Sequence, residues 1–206
     1  MSQVKNPQND SKLISSNSAR SAKVLLGSVN RTSMPIQRNA VQINRLATYN
    51  PVTVKDDISL IKVDVAVPIT DNARPIQLPS RSQAGETYLN YVLLVSGFGL
   101  TTANQVSNTL QYTNVIGISN ADCKNIYGPM IISSMLCTLG YPNRNQGSCQ
   151  GDSGGGLVTM FTNSTFVGIV SFGAAQSCTA GYPQGFTRVG PYLSWINTVT
   201  GIALRN

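Results

Sequence analysis

The sequence predicts an all-β protein of two β units followed by a single C-terminal helix. Three observations carry that expectation. Short runs rich in Val, Ile, Leu and Thr recur along the chain, bounded by Gly, Pro, Asn or Asp. A stretch rich in Pro, Ser, Gln and Arg, 68–86, divides those runs into a short group and a longer one. Helical spacing of apolar residues is found once, near the end of the chain.

In chain order, strands are expected at 23–29, 40–49 and 58–63 in the first unit. The second unit should hold strands at 89–95, 107–118, 134–138, 156–160, 165–171 and 185–189. Turn residues such as Asn50-Pro51 and Leu78-Pro79-Ser80 separate them. The helix is expected over 191–199. Pro191 suits a first turn, and Tyr192, Trp195, Ile196 and Val199 recur at i, i+3, i+4 and i+7. The units are therefore 21–67 and 87–206, joined by 68–86. Residues 1–20 stand apart as a polar leader without the apolar region of a secretory signal.

At 206 residues and 41% apolar composition, the chain can bury a core and is not a disordered polymer. No apolar run is long enough for a spanning helix, so no membrane partner is expected. The net charge is +7, and eleven of the 15 basic residues lie in 1–81 against five acids. Arg31, Arg38, Arg45, Lys55, Lys62, Arg74 and Arg81 recur singly, without interleaved aromatics. That is the pattern of solvated strand edges and turns, and no nucleic-acid partner is expected. The four cysteines include no CxxC pair and the chain has no histidine, which leaves no metal site and implies no cofactor. Two disulfides are the better use of them, as in exported proteins.

The strongest chemical signal is Gly147-Ser148-Cys149-Gln150-Gly151-Asp152-Ser153-Gly154-Gly155-Gly156. Glycines on both sides of one serine let the backbone turn tightly and aim N–H groups into a hollow. Acyl transfer needs such donors beside a nucleophile, because negative charge develops on the carbonyl oxygen. A featureless Gly-rich turn is the plain alternative, and it does not account for matches elsewhere in the chain. Asp57-Ile58-Ser59-Leu60, Ser96-Gly97-Phe98-Gly99, Met135-Leu136-Cys137, Val167 to Gly173 and Phe186-Thr187-Arg188-Val189 all fall in the expected order. Together these segments resemble the trypsin/chymotrypsin family of serine proteases over about 21–206. The run Gly181-Tyr182-Pro183-Gln184-Gly185-Phe186-Thr187-Arg188-Val189 is most similar to the brachyurin-like, chymotrypsin-type branch.

The resemblance implies two antiparallel Greek-key β-barrels, the first incomplete, because only its last three strands are found. It implies a protein or peptide substrate, protein inhibitors as partners, a monomer and an extracellular setting. Ser153 takes the nucleophile position and Asp57 the position that orients the base. The N–H groups of Gly151 and Ser153 take the oxyanion hole, and Asp152 the activation-pocket carboxylate. The family pattern pairs Cys123 with Cys137 and Cys149 with Cys178. It assigns the primary specificity pocket to Gly147, Ser148, Ser171, Gly173 and Gln184. Gly147 stands at the floor, where an aspartate would recruit Lys or Arg. Gly173 leaves the wall open for a flat ring, so an apolar or aromatic P1 residue is expected. Gln184 departs from the small or acidic residue usual at its position and narrows or polarises the pocket.

The chain contains no histidine to serve as base, and Lys55, two residues from Asp57, suggests no Ser–Lys substitute. Nor does it contain the Ile-Val-Gly-Gly start whose amine would pair with Asp152. That leaves Asp152 expected to lack a partner and its loop to be displaced. The polar leader is not expected to replace the missing strands. The sequence is thus read as an N-terminally truncated serine endopeptidase, inactive as given. The competing reading is a non-catalytic homologue that serves as a protein-binding module. Asp57, Gly151, Asp152 and Ser153 standing together favour the first. The sequons Asn30-Arg31-Thr32 and Asn163-Ser164-Thr165 arise often by chance and carry little weight.

Overall fold

The computed structural model describes residues 3–5, 21–160, 163–174 and 178–206. Strands β1 (Gln3–Lys5), β2 (Lys23–Leu26), β3 (Ile36–Arg45) and β4 (Ser59–Val63) form one antiparallel sheet in that order. Strands β5 (Val92–Gly97), β6 (Gln111–Ile118), β7 (Met135–Gly140), β8 (Gly156–Thr159), β9 (Phe166–Phe172) and β10 (Gln184–Arg188) close into a barrel. Its order is β10-β7-β6-β5-β8-β9, and β9 returns to β10. Alternate residues point inward, and Leu93, Val95, Val115, Leu136, Leu157, Val167 and Phe186 fill the interior. Closure leaves no free strand edge in this unit.

The first unit is open. Its sheet gains the short strand Gln3–Lys5 from the polar leader, which the sequence did not suggest; the rest of 1–20 lies outside the described residues. Ile58, Leu46 and Leu60 pack against Val189, Tyr192 and Ile196 at the far end of the chain. The linker joins that contact through Leu78, and Gln77 pairs with Thr165.

Two expectations need correction. A second helix, α1 (Asn120–Tyr127), precedes β7. Its apolar spacing is faint because Cys123 alone is buried, but Ser119 caps it, accepting from the Asp122 N–H at 3.0 Å while its hydroxyl donates to the Asp122 carboxylate at 2.6 Å. That cap was legible in the sequence. Strand β5 starts at Val92 rather than 89 because Tyr88 and Asn90 adopt positive φ, 58° and 63°, and make a turn.

The C-terminal helix α2 (Leu193–Thr200) follows a 3-10 turn at Gly190–Tyr192 that contains Pro191. The tighter turn shifts the phase of the apolar stripe. Tyr192, Leu193 and Ile196 are buried, whereas Val199 is exposed. Gly201 ends the helix in the left-handed conformation, its N–H reaching the Asn197 carbonyl.

Candidate active site

The site lies where the open sheet meets the barrel. Asp57 sits at the end of a turn built by Asn50, whose side-chain oxygen accepts from the Val52 and Thr53 N–H groups at 2.9 and 3.1 Å. Asn50 also pairs with Lys55, which closes that turn just ahead of β4. The barrel then holds Asp57 from the other side. The Thr187 hydroxyl donates to its backbone carbonyl at 2.8 Å, and the Ser171 hydroxyl donates to its carboxylate at 2.7 Å. Next to it, Tyr192 donates to the Asp56 carboxylate at 2.8 Å.

Burial raises the Asp57 carboxyl above its ordinary range, and the Ser171 hydrogen bond partly opposes this. The Tyr192 phenol is pushed up to about 12, mainly by burial, and stays a donor at neutral pH. Tyr49 lies within the field of Asp57, and burial together with that charge raises its phenol.

Ser153 is presented on a tight turn between the two chain ends of the Cys149–Cys178 disulfide region and β8. The Asp152 N–H reaches the Cys149 carbonyl at 3.0 Å, and the Gly155 N–H reaches the Asp152 carbonyl at 2.8 Å. The Gly154 N–H ties the turn to Val170 of β9 at 2.9 Å. Gly151 has φ of +94°, which a side chain would strain. Ser153 itself is exposed. The second disulfide, Cys123–Cys137, links α1 to β7 and braces the same side of the barrel.

Asp152 is not orphaned, contrary to expectation. One carboxylate oxygen accepts from the Gly99 N–H at 2.8 Å and the other from the Cys149 N–H at 2.9 Å. Two backbone donors satisfy a carboxylate without a cation, and the Ser153 turn keeps its hydrogen bonds.

A cavity of about 170 Å³ opens beside Ser153. Ser148, Ser171, Gly173 and Gln184 all line it, together with Val170 and Phe172. Gly147 does not. It borders a neighbouring hollow of about 250 Å³ shared with Asp152, and a Cβ on Gly147 would overlap the Gln184 amide. The floor expected at Gly147 is therefore covered by Gln184. The Ser171 hydroxyl, on the cavity wall, donates to Asp57.

Sequence reasoning missed the positioning contacts of Ser171 and Thr187 with Asp57, of Tyr192 with Asp56, and of Tyr127 with the Pro183 carbonyl. Only Tyr192 carried a signal, its place in the C-terminal apolar stripe.

A serine on a glycine-flanked turn, a cavity at its side and a part-buried carboxylate held by the cavity wall thus lie together. A family model described as Trypsin matches residues 13–196, and the chain belongs to the trypsin family. It is 37% identical over 185 residues to a collagenase of Hypoderma lineatum, covering 89% of this chain and 69% of the relative. It is 38% identical over 156 residues to brachyurin of Leptuca pugilator, covering 75% and 65% respectively. Trypsin I-P1 of Gallus gallus is 33% identical over 183 residues, 86% of this chain and 70% of the relative. The chain thus spans about two thirds of the length of these curated relatives. A solved structure of HL collagenase superposes with a TM-score of 0.82 at 35% identity, covering 90% of this chain and 78% of that one.

Proposed function

We propose that this chain carries the nucleophile and the orienting carboxylate of a secreted serine endopeptidase, Ser153 and Asp57, and that residues 1–206 alone do not turn over peptide bonds. The observation that carries this reading is the Ser171–Asp57 hydrogen bond. It ties the carboxylate to the wall of the cavity that also holds Ser153.

In the reaction so assigned, the Ser153 oxygen attacks the carbonyl carbon of the scissile bond. Its proton must pass to a base before the acyl–oxygen bond can form, and the leaving amine must receive a proton in turn. Asp57 can orient and stabilise a cationic base, but its own carboxyl is a poor proton carrier at neutral pH even when raised. With no imidazole in these 206 residues, the hydroxyl stays protonated. The N–H groups of Gly151 and Ser153 are assigned to the developing oxyanion.

The cavity offers Lys or Arg no carboxylate among its described lining residues, and the Gln184 amide covers Gly147. An apolar or aromatic P1 residue, chymotrypsin-like rather than trypsin-like, is the guest it suits. Two disulfides support an extracellular setting. The binding-module reading rests on the missing histidine; Asp57, Gly151, Asp152 and Ser153 standing together favour the enzyme.

The test uses purified 1–206, a chromogenic chymotrypsin-type peptide and a serine-directed phosphonate. Turnover is expected to equal the buffer blank, and Ser153→Ala is expected to leave it there. Turnover that Ser153→Ala abolishes would overturn the inactivity. A native product larger than 22.0 kDa that the phosphonate labels at Ser153 supports the enzyme over the binding module, whereas a native product of this size that never labels supports the module.

A further inference from the structure

An Asn-x-Ser/Thr triplet can receive an N-linked glycan in an exported protein, through the amide nitrogen of Asn and with the hydroxyl two residues on. Both groups must be reachable, and that depends on the fold. Asn9-Asp10-Ser11 lies outside the described residues. The other two triplets, at Asn30 and Asn163, are built differently.

Asn30 opens a tight turn between β2 and β3, its carbonyl accepting from the Ser33 N–H at 3.1 Å. Arg31 anchors that turn to the barrel unit. Its N–H donates to the Asn108 carbonyl at 2.7 Å, and its guanidinium donates to the Asn108 side-chain oxygen at 2.8 Å. Asn30 and Thr32 are both exposed. The Asn30 Oδ1 accepts from the Thr32 N–H at 3.0 Å and from the Thr32 hydroxyl at 2.8 Å. A backbone N–H can only donate, so the amide oxygen must be the atom that faces it. Both lone pairs of Oδ1 are then engaged, and Nδ2 makes no hydrogen bond to a described residue. A substituent on Nδ2 breaks no bond of the fold. The two donors on Oδ1 also favour loss of an Nδ2 proton, since they stabilise the negative charge that would develop on the oxygen.

Asn163-Ser164-Thr165 lacks this arrangement. Thr165 is buried, with 6% exposure, just ahead of β9. Its N–H donates to the Thr159 hydroxyl at 2.9 Å, and its own hydroxyl donates to the Asn163 backbone carbonyl at 3.4 Å. The folded chain hides the hydroxyl of this triplet.

We propose that Asn30 is an N-glycosylation site, its amide oxygen held by Thr32 and its nitrogen left to take an oligosaccharide, in preference to Asn163. The bond that forms joins Nδ2 to the anomeric carbon of an oligosaccharide carried on a lipid pyrophosphate. The bond that breaks joins that carbon to the pyrophosphate, which leaves with the electron pair. The amide proton passes to a base of the transferring enzyme. The inference rests on the extracellular setting proposed above, because donor and transferase belong to the export route.

The experiment expresses the full 1–206 chain behind a cleaved export signal in insect cells and recovers it from both cells and medium. Peptide-N-glycanase in heavy-oxygen water converts each glycosylated Asn to labelled Asp, so peptide mapping reads each triplet separately. Asn30 is expected to be labelled on most chains, several-fold above Asn163. Asn30→Gln and Thr32→Ala are each expected to abolish that label, and Thr32→Ser, which keeps a hydroxyl in place, to retain part of it. An unlabelled Asn30 overturns the proposal, as does labelling of Asn163 at the same level or above. Release into the medium with both disulfides formed tests the extracellular setting by itself. A chain labelled at Asn30 but retained in the cell overturns that setting and supports the site.

Discussion

All five residues of β10 in the closed barrel are buried, whereas β3 of the open sheet buries one of its ten. Both are antiparallel strands with similar side chains. The difference lies in what each sheet can pack against. The barrel folds its inner face on itself, and each strand edge finds a partner. The open sheet has a single layer, and Val41 remains well exposed on it. Among the described residues, the buried apolar clusters lie inside the barrel, around Cys123–Cys137, and where Ile58 meets Val189, Tyr192 and Ile196. Ile58 of the first unit shares its core with the C-terminal helix, while Ala22, Val24, Met34 and Ile36 are buried apart from that cluster. Asp57 is therefore positioned less by its own sheet than by Thr187, Ser171 and the packing of α2.

That contrast can be broken most directly by truncating one side chain in each region. Phe186→Ala in the barrel is expected to cost about 3–5 kcal/mol, since Phe186 is fully buried among large neighbours. Val41→Ala in the open sheet is expected to change stability by less than about 0.5 kcal/mol. Urea unfolding of the two variants checks both, and a similar loss for each would mean that the sheet has a core of its own.

Removing the Cys123–Cys137 bridge by Cys123→Ala with Cys137→Ala is expected to cost about 3 kcal/mol by loop entropy. If barrel and sheet unfold separately, hydrogen exchange should then speed up in β6 and β7 and leave β2 and β3 unchanged. Uniform acceleration would show a single cooperative unit instead.

The smallest effect concerns the junction. Burial raises the Asp57 carboxyl, so the protonated form favours the folded state below the ordinary carboxylate range. That contribution is lost as pH rises through the raised value. Asp57→Asn keeps a neutral side chain of the same shape. A modest rise in Tm is expected at about pH 7, fading toward about pH 3, where the parent aspartate is neutral in both states. A gain that is the same at both pH values would rule out the carboxylate as its cause.

Much of this was legible before any coordinates. Nine expected strands correspond to β2 through β10 with shifted ends, because alternating apolar residues and turn formers are local signals. The Gly147–Gly156 run announced the tight turn at Ser153 through its glycines alone. Helix α1 escaped because its apolar face is too small, although Ser119 and Asp122 marked its start.

By itself, the amino-acid order determined the strands, the serine-bearing turn, the family resemblance and the absence of an imidazole base. The tertiary structure decided that Ser171 turns to an aspartate 114 positions away, and that the Gln184 amide lies over Gly147. Periodicity tells which face a side chain occupies. Which partner it meets there depends on strand register and on how the barrel closes against the open sheet, and those are settled by contacts between distant parts of the chain.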